Sequence, residues 1–356
     1  MPPLRGPTRG GWGRLKPVDV DPLEVYGLPS KGETRLADFK VQERFYAKII
    51  ERYLQFCTDA KGRDGLLERF ASLELAEKKT PSAWSADPPS WSSTSQTSRT
   101  PSSSASSAIT TPIVPTSASV SALAAASQDL TLVLSALRKL REAIVATDRS
   151  DDFATQVYLF CIRLAILAKH PQSYHPALLH LLRSIHRRKP LLNVELQEVA
   201  SYRVLDAACR RGDLAEAYHL RCLYKLHCTT VDAALYALAH DDWVALNRLL
   251  QKQKVPTAAG AAPSAPPTMR RTGTADAYQG KLLEYAVHNM RVHTLKCFGR
   301  AYLRLEDVQY LETATELSWA DLQSKYSVGW EREGDAVVIR KVQPRIPAAA
   351  APTTAT

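Results

Sequence analysis

The sequence predicts an all-α chain of stacked helical hairpins that ends in a short β-hairpin. Three observations predict it. Apolar residues recur at three- and four-residue spacing in successive stretches between Leu36 and Tyr302, the period of one helix face. One helix–turn–helix pattern occurs twice at an offset of 29 residues, from Asp213 to Asp242. Near the C-terminus the period changes: Gly329-Trp330-Glu331-Arg332, a Glu333-Gly334-Asp335 turn and Ala336-Val337-Val338-Ile339-Arg340 read as a β-hairpin.

Residues 1–35 read as an extended, Pro- and Gly-rich basic arm, with Arg5, Arg9, Arg14 and Lys16 and no acid before Asp19. Residues 36–78 read as a helical pair. Leu36, Phe39, Val41, Phe45, Ile49, Ile50, Tyr53 and Leu54 stripe the first helix, and Leu66, Leu67, Phe70 and Leu73 the second. Residues 79–127 are dominated by Ser, Thr, Pro and Ala. Such a stretch buries too little surface to offset its ordering entropy and is expected to be a disordered linker.

Residues 128–304 carry the helical repeats, apart from an Ala/Pro/Gly-rich insert expected to be disordered at about 255–274. Leu130, Leu134, Leu137, Leu140 and Ile144 define the first helix. A polar break from Thr147 to Asp152 follows, in which either aspartate can cap the next helix, with Phe153, Val157, Phe160, Leu164 and Leu167. Pro171 ends that helix, and Pro176 stands near the start of another, which stops at His186-Arg187-Arg188-Lys189 before Pro190. The 29-residue offset aligns Ala208 with Ala237 and Leu214 with Trp243. Small residues before the turn permit close helix approach, and the acid after it caps the next helix.

The ending, residues 305–342, reads in order as a short helix at Asp307–Leu311, a Ser318-capped helix from Trp319 to Lys325, and the hairpin. That is the order of a winged helix. Residues 343–356 read as a disordered tail. Helical hairpins running into one C-terminal winged helix resemble the PCI architecture of the proteasome regulatory lid, the cullin-deneddylating signalosome and translation initiation factor three. Within that group the chain is most similar to the small-subunit family: signalosome subunit eight, the related lid subunit and the k subunit of the initiation factor. The segments YRVLDAACRRGDLAEAYHLRCLYKL (202–226), ALYALAHDDWVALNRLL (234–250) and LSWADLQSKYSVGWEREGDAVVIRK (317–341) carry the resemblance. It implies a non-catalytic scaffold whose partners are other PCI-type subunits, with the hairpin 329–341 as its assembly edge. Trp330, Val337, Val338 and Ile339 are the protein-docking candidates.

No GxxxxGK[ST], GxGxxG, GxSxG or HExxH occurs, so neither an enzyme, a cofactor nor a small-molecule substrate is expected. His219, Cys222, His227 and Cys228 fit no zinc spacing. His170, His175, His180 and His186 lack a nearby nucleophile or carboxylate partner, and Asp151-Asp152 and Asp241-Asp242 stand where helix caps belong. The six cysteines form no CxxC pair and are expected as free, mostly buried thiols in a reducing compartment. No signal peptide or membrane span is expected, which suits the cytoplasm, the nucleus or both. The formal charge of +10 leaves an alternative: an RNA- or DNA-associated adaptor of the Sac/GANP messenger-RNA export type. Its contacts would be Gln323 and Lys325 on the second winged-helix helix, and Arg332, Arg340 and Lys341 on the hairpin.

Overall fold

A computed structural model describes residues 21–59, 70, 117–254 and 275–341. They are mostly helical, with one small antiparallel sheet. The chain divides into two compact units, Met1–Pro190 and Leu191–Thr356, so the stretch expected as one helical body over 128–304 is split at Pro190. The expected helix around Leu66 and Leu73 (apart from Phe70), residues 79–116, the insert 255–274 and the tail 343–356 lie outside the described residues.

The first unit holds α1 (Phe39–Thr58), α2 (Ser117–Ala146), α3 (Asp152–Leu167) and α4 (Pro171–His180), which runs on through a π turn, Leu181–Ile185, to a last turn, His186–Arg188. Two expectations change here. The last eleven residues of the expected linker, Ser117–Ser127, open α2: Ala122, Leu123 and Ala124–Ala126 are strong helix formers within a composition that otherwise reads as low-complexity. Part of the expected extended arm is also folded. Leu23 is buried, Tyr26 meets Phe45 edge-on at 4.9 Å, and two 3-10 turns, Pro29–Lys31 and Arg35–Ala37, lead into α1. Glu33 gathers this segment by accepting from the Gly27 and Arg35 N–H groups and from the Arg35 guanidinium. The Arg35 hydrogen bonds hold its carboxyl down at about 2.

Helix α1 packs on α2, buries Phe45, Ile49 and Phe56, and sets Tyr46 and Tyr53 against the rings of Phe153 and Phe160 on α3. Asp38 caps α1 through Lys40 N–H, and Asp151 caps α3 through Ala154 N–H. Pro171 occupies the first turn of α4, where a missing N–H costs nothing. Pro176 lies inside that helix rather than near its start and removes one bond from the ladder.

The second unit begins with α5 (Asn193–Leu205), which ends in a π turn, Asp206–Arg210. It continues through α6 (Leu214–Leu223), α7 (Thr229–Ala239), α8 (Trp243–Lys254), α9 (Ala275–Leu283) and α10 (Val287–Ala301). The two aligned turns share a backbone plan. Gly212 (φ +70°) and Asp241 (φ +52°) each take the left-handed conformation, and Asp213 and Asp242 each cap the next helix, through Glu216 N–H and Ala245 N–H. They differ by one residue in closure. Asp213 N–H reaches back to Ala207 C=O, and Asp242 N–H to Ala237 C=O, because the π turn inserts an extra residue in the first copy.

The end of the unit is β1 (Arg304–Leu305), α11 (Val308–Thr315), α12 (Trp319–Tyr326), β2 (Glu331–Glu333) and β3 (Ala336–Val338). The three strands form an antiparallel sheet in the order β1-β3-β2. Gly334, at φ +65°, supplies the positive dihedral that the two-residue hairpin loop needs. One core joins Leu295 and Phe298 of α10 to Leu305, Val308, Leu311, Trp319, Leu322, Val337 and Ile339. The cap therefore starts with α10, not at residue 305. Trp243 of α8 anchors it by donating to Ala314 C=O at 2.5 Å, and Arg291 of α10 donates to Thr315 C=O at 2.9 Å.

Candidate functional site

The hairpin cap is the place where the predicted docking and nucleic-acid residues meet. Strand alternation turns Val337 and Ile339 to one side, and both are buried in the cap core. They are structural and cannot dock a partner. Val338, on the opposite side of the strand, is half-buried, and Trp330 packs partly against the same core, facing Gly299 of α10, where an added Cβ would touch its ring.

β3 is also not a free edge. It pairs with β2 through Glu331↔Val338 and Arg332↔Val337, and with β1 through Arg304↔Val338 and Leu305↔Val337. The Ile339 and Arg340 N–H groups extend the second ladder by donating to Leu303 C=O. The exposed edge of the hairpin is β2, where Glu331, Arg332 and Glu333 all face solvent.

The basic candidates are spoken for. Lys325 pairs with Asp321 at 2.8 Å, and this contact, with Ser318, draws the Asp321 carboxyl below its ordinary value. Lys341 pairs with Glu331 at 2.7 Å, which raises the ammonium pKa. Arg332 donates to Gly334 C=O at 2.7 Å and lies 3.9 Å from Asp335, and Arg340 donates to Arg300 C=O at 2.8 Å. Gln323 is exposed on α12. From α10 on, residues 287–341 hold eight acidic and eight basic side chains, formally neutral within a chain of formal +10. A cap without net positive charge has no long-range pull on phosphate.

Sequence reasoning missed the apolar surface beside β1. Tyr302, Leu303 and Tyr310 are large and exposed, at 42%, 49% and 56%. Phe298 ties the two tyrosines together, with ring centroids 5.7 Å from Tyr302 and 6.0 Å from Tyr310. A strand of two residues has no periodicity to detect, so β1 and the surface it organises gave no sequence signal. Aromatic side chains on an exposed face are the usual anchors of protein interfaces.

The other singled-out residues take ordinary places. Asp151 and Asp242 are caps. Asp152 pairs with Lys189. Among the described residues no group of three or more His, Cys, Asp and Glu side chains is placed to hold a metal. No cysteine is bridged among them: Cys161 and Cys209 are buried and Cys57 and Cys228 half-buried, but Cys222 and Cys297 are exposed, against the expectation of mostly buried thiols. Burial, with the Asp206 charge, pushes the Cys209 thiol up to about 12, which leaves it unreactive. No helix of the described residues is long and apolar enough to cross a membrane. The chain matches no family model, no curated protein and no solved structure.

Proposed function

We propose that the chain is a non-catalytic scaffold subunit of a PCI-type assembly, one of the proteasome-lid, signalosome or initiation-factor kind, acting in the cytoplasm or nucleus by docking onto other subunits. The observation that carries the reading is the order of the second unit. Helical hairpins run directly into helix, strand, helix, helix and hairpin, with the sheet order β1-β3-β2 expected of a winged helix. The Trp243 bond joins the cap to the hairpins before it, which a rigid arm-and-cap scaffold needs. The cap has no net positive charge, which favours protein docking over the nucleic-acid adaptor reading.

In this reading the docking surface is the Tyr302, Leu303 and Tyr310 face together with the β2 edge. The test is affinity purification of the tagged chain from nuclease-treated lysate, for the wild type and for a Tyr302→Asp/Tyr310→Asp variant. Both positions are exposed, so the fold is expected to survive. Recovery of PCI-type subunits in comparable amounts by the wild type, reduced about tenfold or more in the variant, is the expected result. Recovery of no such subunits by the wild type would sink the reading.

A further inference from the structure

The first unit contains a pocket of about 810 Å³ between the Pro29–Ser30 turn, α2, α3 and α4. That is within the usual size of a small-molecule site. Its lining is chemically unusual. Arg141 of α2 is nine-tenths buried, at 9% exposure, and no acceptor reaches its Nε among the described residues. The neighbouring carboxylate does not serve it, because Glu142 is taken by Arg138 Nε at 3.1 Å and by the Ser30 hydroxyl at 2.9 Å. A guanidinium nitrogen out of water without an acceptor is costly, and the rest of this group lines the pocket, where an anion would pair with it.

The rest of the pocket fits the body of a ligand rather than a bare ion. Tyr158 of α3, buried, stacks on His180 of α4 with centroids 5.1 Å apart. Pro176 and the exposed Val145 add apolar surface at the sides. Burial, with the charges of Arg188 and Arg141, holds His180 below its ordinary value, so the imidazole is a neutral partner at neutral pH.

We propose that this pocket binds a small organic anion, with its carboxylate or phosphate head on Arg141 and its apolar or aromatic body against the Tyr158–His180 pair. This site lies in the first unit and is independent of the docking surface of the cap. The head group is the shared chemistry; two probes separate its sources.

Isothermal titration of the full chain with phenyl phosphate and with benzoate tests the proposal, with benzyl alcohol as the uncharged control. The expected result is saturable one-to-one binding of at least one charged probe and none of benzyl alcohol. The tighter probe names the head group. Arg141→Met keeps the volume and removes the charge. It is expected to weaken binding about tenfold or more, while unfolding at the same or a higher temperature than wild type. Val145→Asp places a carboxylate at the pocket mouth on an exposed position and is expected to weaken binding several-fold even where the first variant folds poorly. Absence of saturation by either charged probe at millimolar concentration overturns the proposal. So does binding that both variants leave unchanged, or benzyl alcohol binding as tightly as the charged probes.

Discussion

Arg149 does more for the first unit than any pattern in the sequence announced. Its buried guanidinium reaches Glu43 Oε1 at 2.6 Å, Asp151 Oδ2 at 2.8 Å and Gln42 Oε1 at 3.2 Å, and it lies over the rings of Phe39 and Phe153 at 4.4 and 4.2 Å. One side chain thus fixes α1 to the start of α3. Both carboxylates are about half exposed, which discounts the ion pairs, so Arg149→Met is expected to cost about 2 kcal/mol, measured by denaturant unfolding. Burial alone would raise the Asp151 carboxyl, but the Arg149 hydrogen bond and the Ala154 N–H outweigh it and leave it below its ordinary value. A depressed carboxyl contributes stability above its unfolded value and loses it as pH falls through the folded one. The gap between wild type and variant should therefore hold at neutral pH and narrow below about pH 4. A gap that widened with acid would contradict this account. The sequence placed an aspartate cap in the break before α3, because capping is a local rule, and the structure assigns it to Asp151. The sequence could not show Arg149 meeting Gln42, since 107 residues separate them and contact at that distance follows no spacing.

At the scale of elements, the two aligned turns separate what a turn demands from what the sequence offers. Gly212 meets its left-handed dihedral at no steric cost, whereas Asp241 holds the same conformation with a Cβ. Asp241→Gly is expected to stabilise the chain by up to about 1 kcal/mol and Gly212→Ala to destabilise it by about 1 kcal/mol, read as shifts of the denaturant midpoint. Shifts of equal sign would refute the shared plan. The first copy carries a further burden. Asp206 is fully buried in the π turn and held by Arg210 at 2.6 Å, with Arg203 at 3.6 Å and Arg211 at 3.7 Å. The turns and their caps were readable because Gly and Asp act locally. The π turn was not, because a one-residue insertion leaves the apolar pattern nearly intact. Nor was the membership of α10 in the cap, since Leu295 and Phe298 read as any helix stripe until the fold decides what lies opposite.

At the scale of the molecule, charge and architecture part company. The chain carries +10, but residues 287–341 are formally neutral, so the whole excess resides in the other residues. Composition made nucleic acid a reasonable partner, and the structure adds that Lys325, Arg332 and Lys341 each lie beside an acid. Neutralising Arg332, Arg340 and Lys341 together is expected to leave the salt dependence of any nucleic-acid binding unchanged. A slope reduced by roughly one unit per lost phosphate contact would return the cap to the adaptor reading. The predominantly helical class and the terminal hairpin were legible because periods of 3.6 and 2 survive without tertiary context. The division at Pro190 was not, because helices of both units share the same period.

The outer strand of the hairpin has one more consequence, for self-recognition. Two copies of β2 laid antiparallel about Arg332 would set Glu331 against Glu333, Arg332 against Arg332 and Glu333 against Glu331. Every opposed pair would be of like charge. In that register a sister molecule is a poor neighbour for this edge. A strand reading base, acid, base would find an attraction at each of the three positions. In that register, three charged residues thereby favour an unlike strand over a like one at this edge.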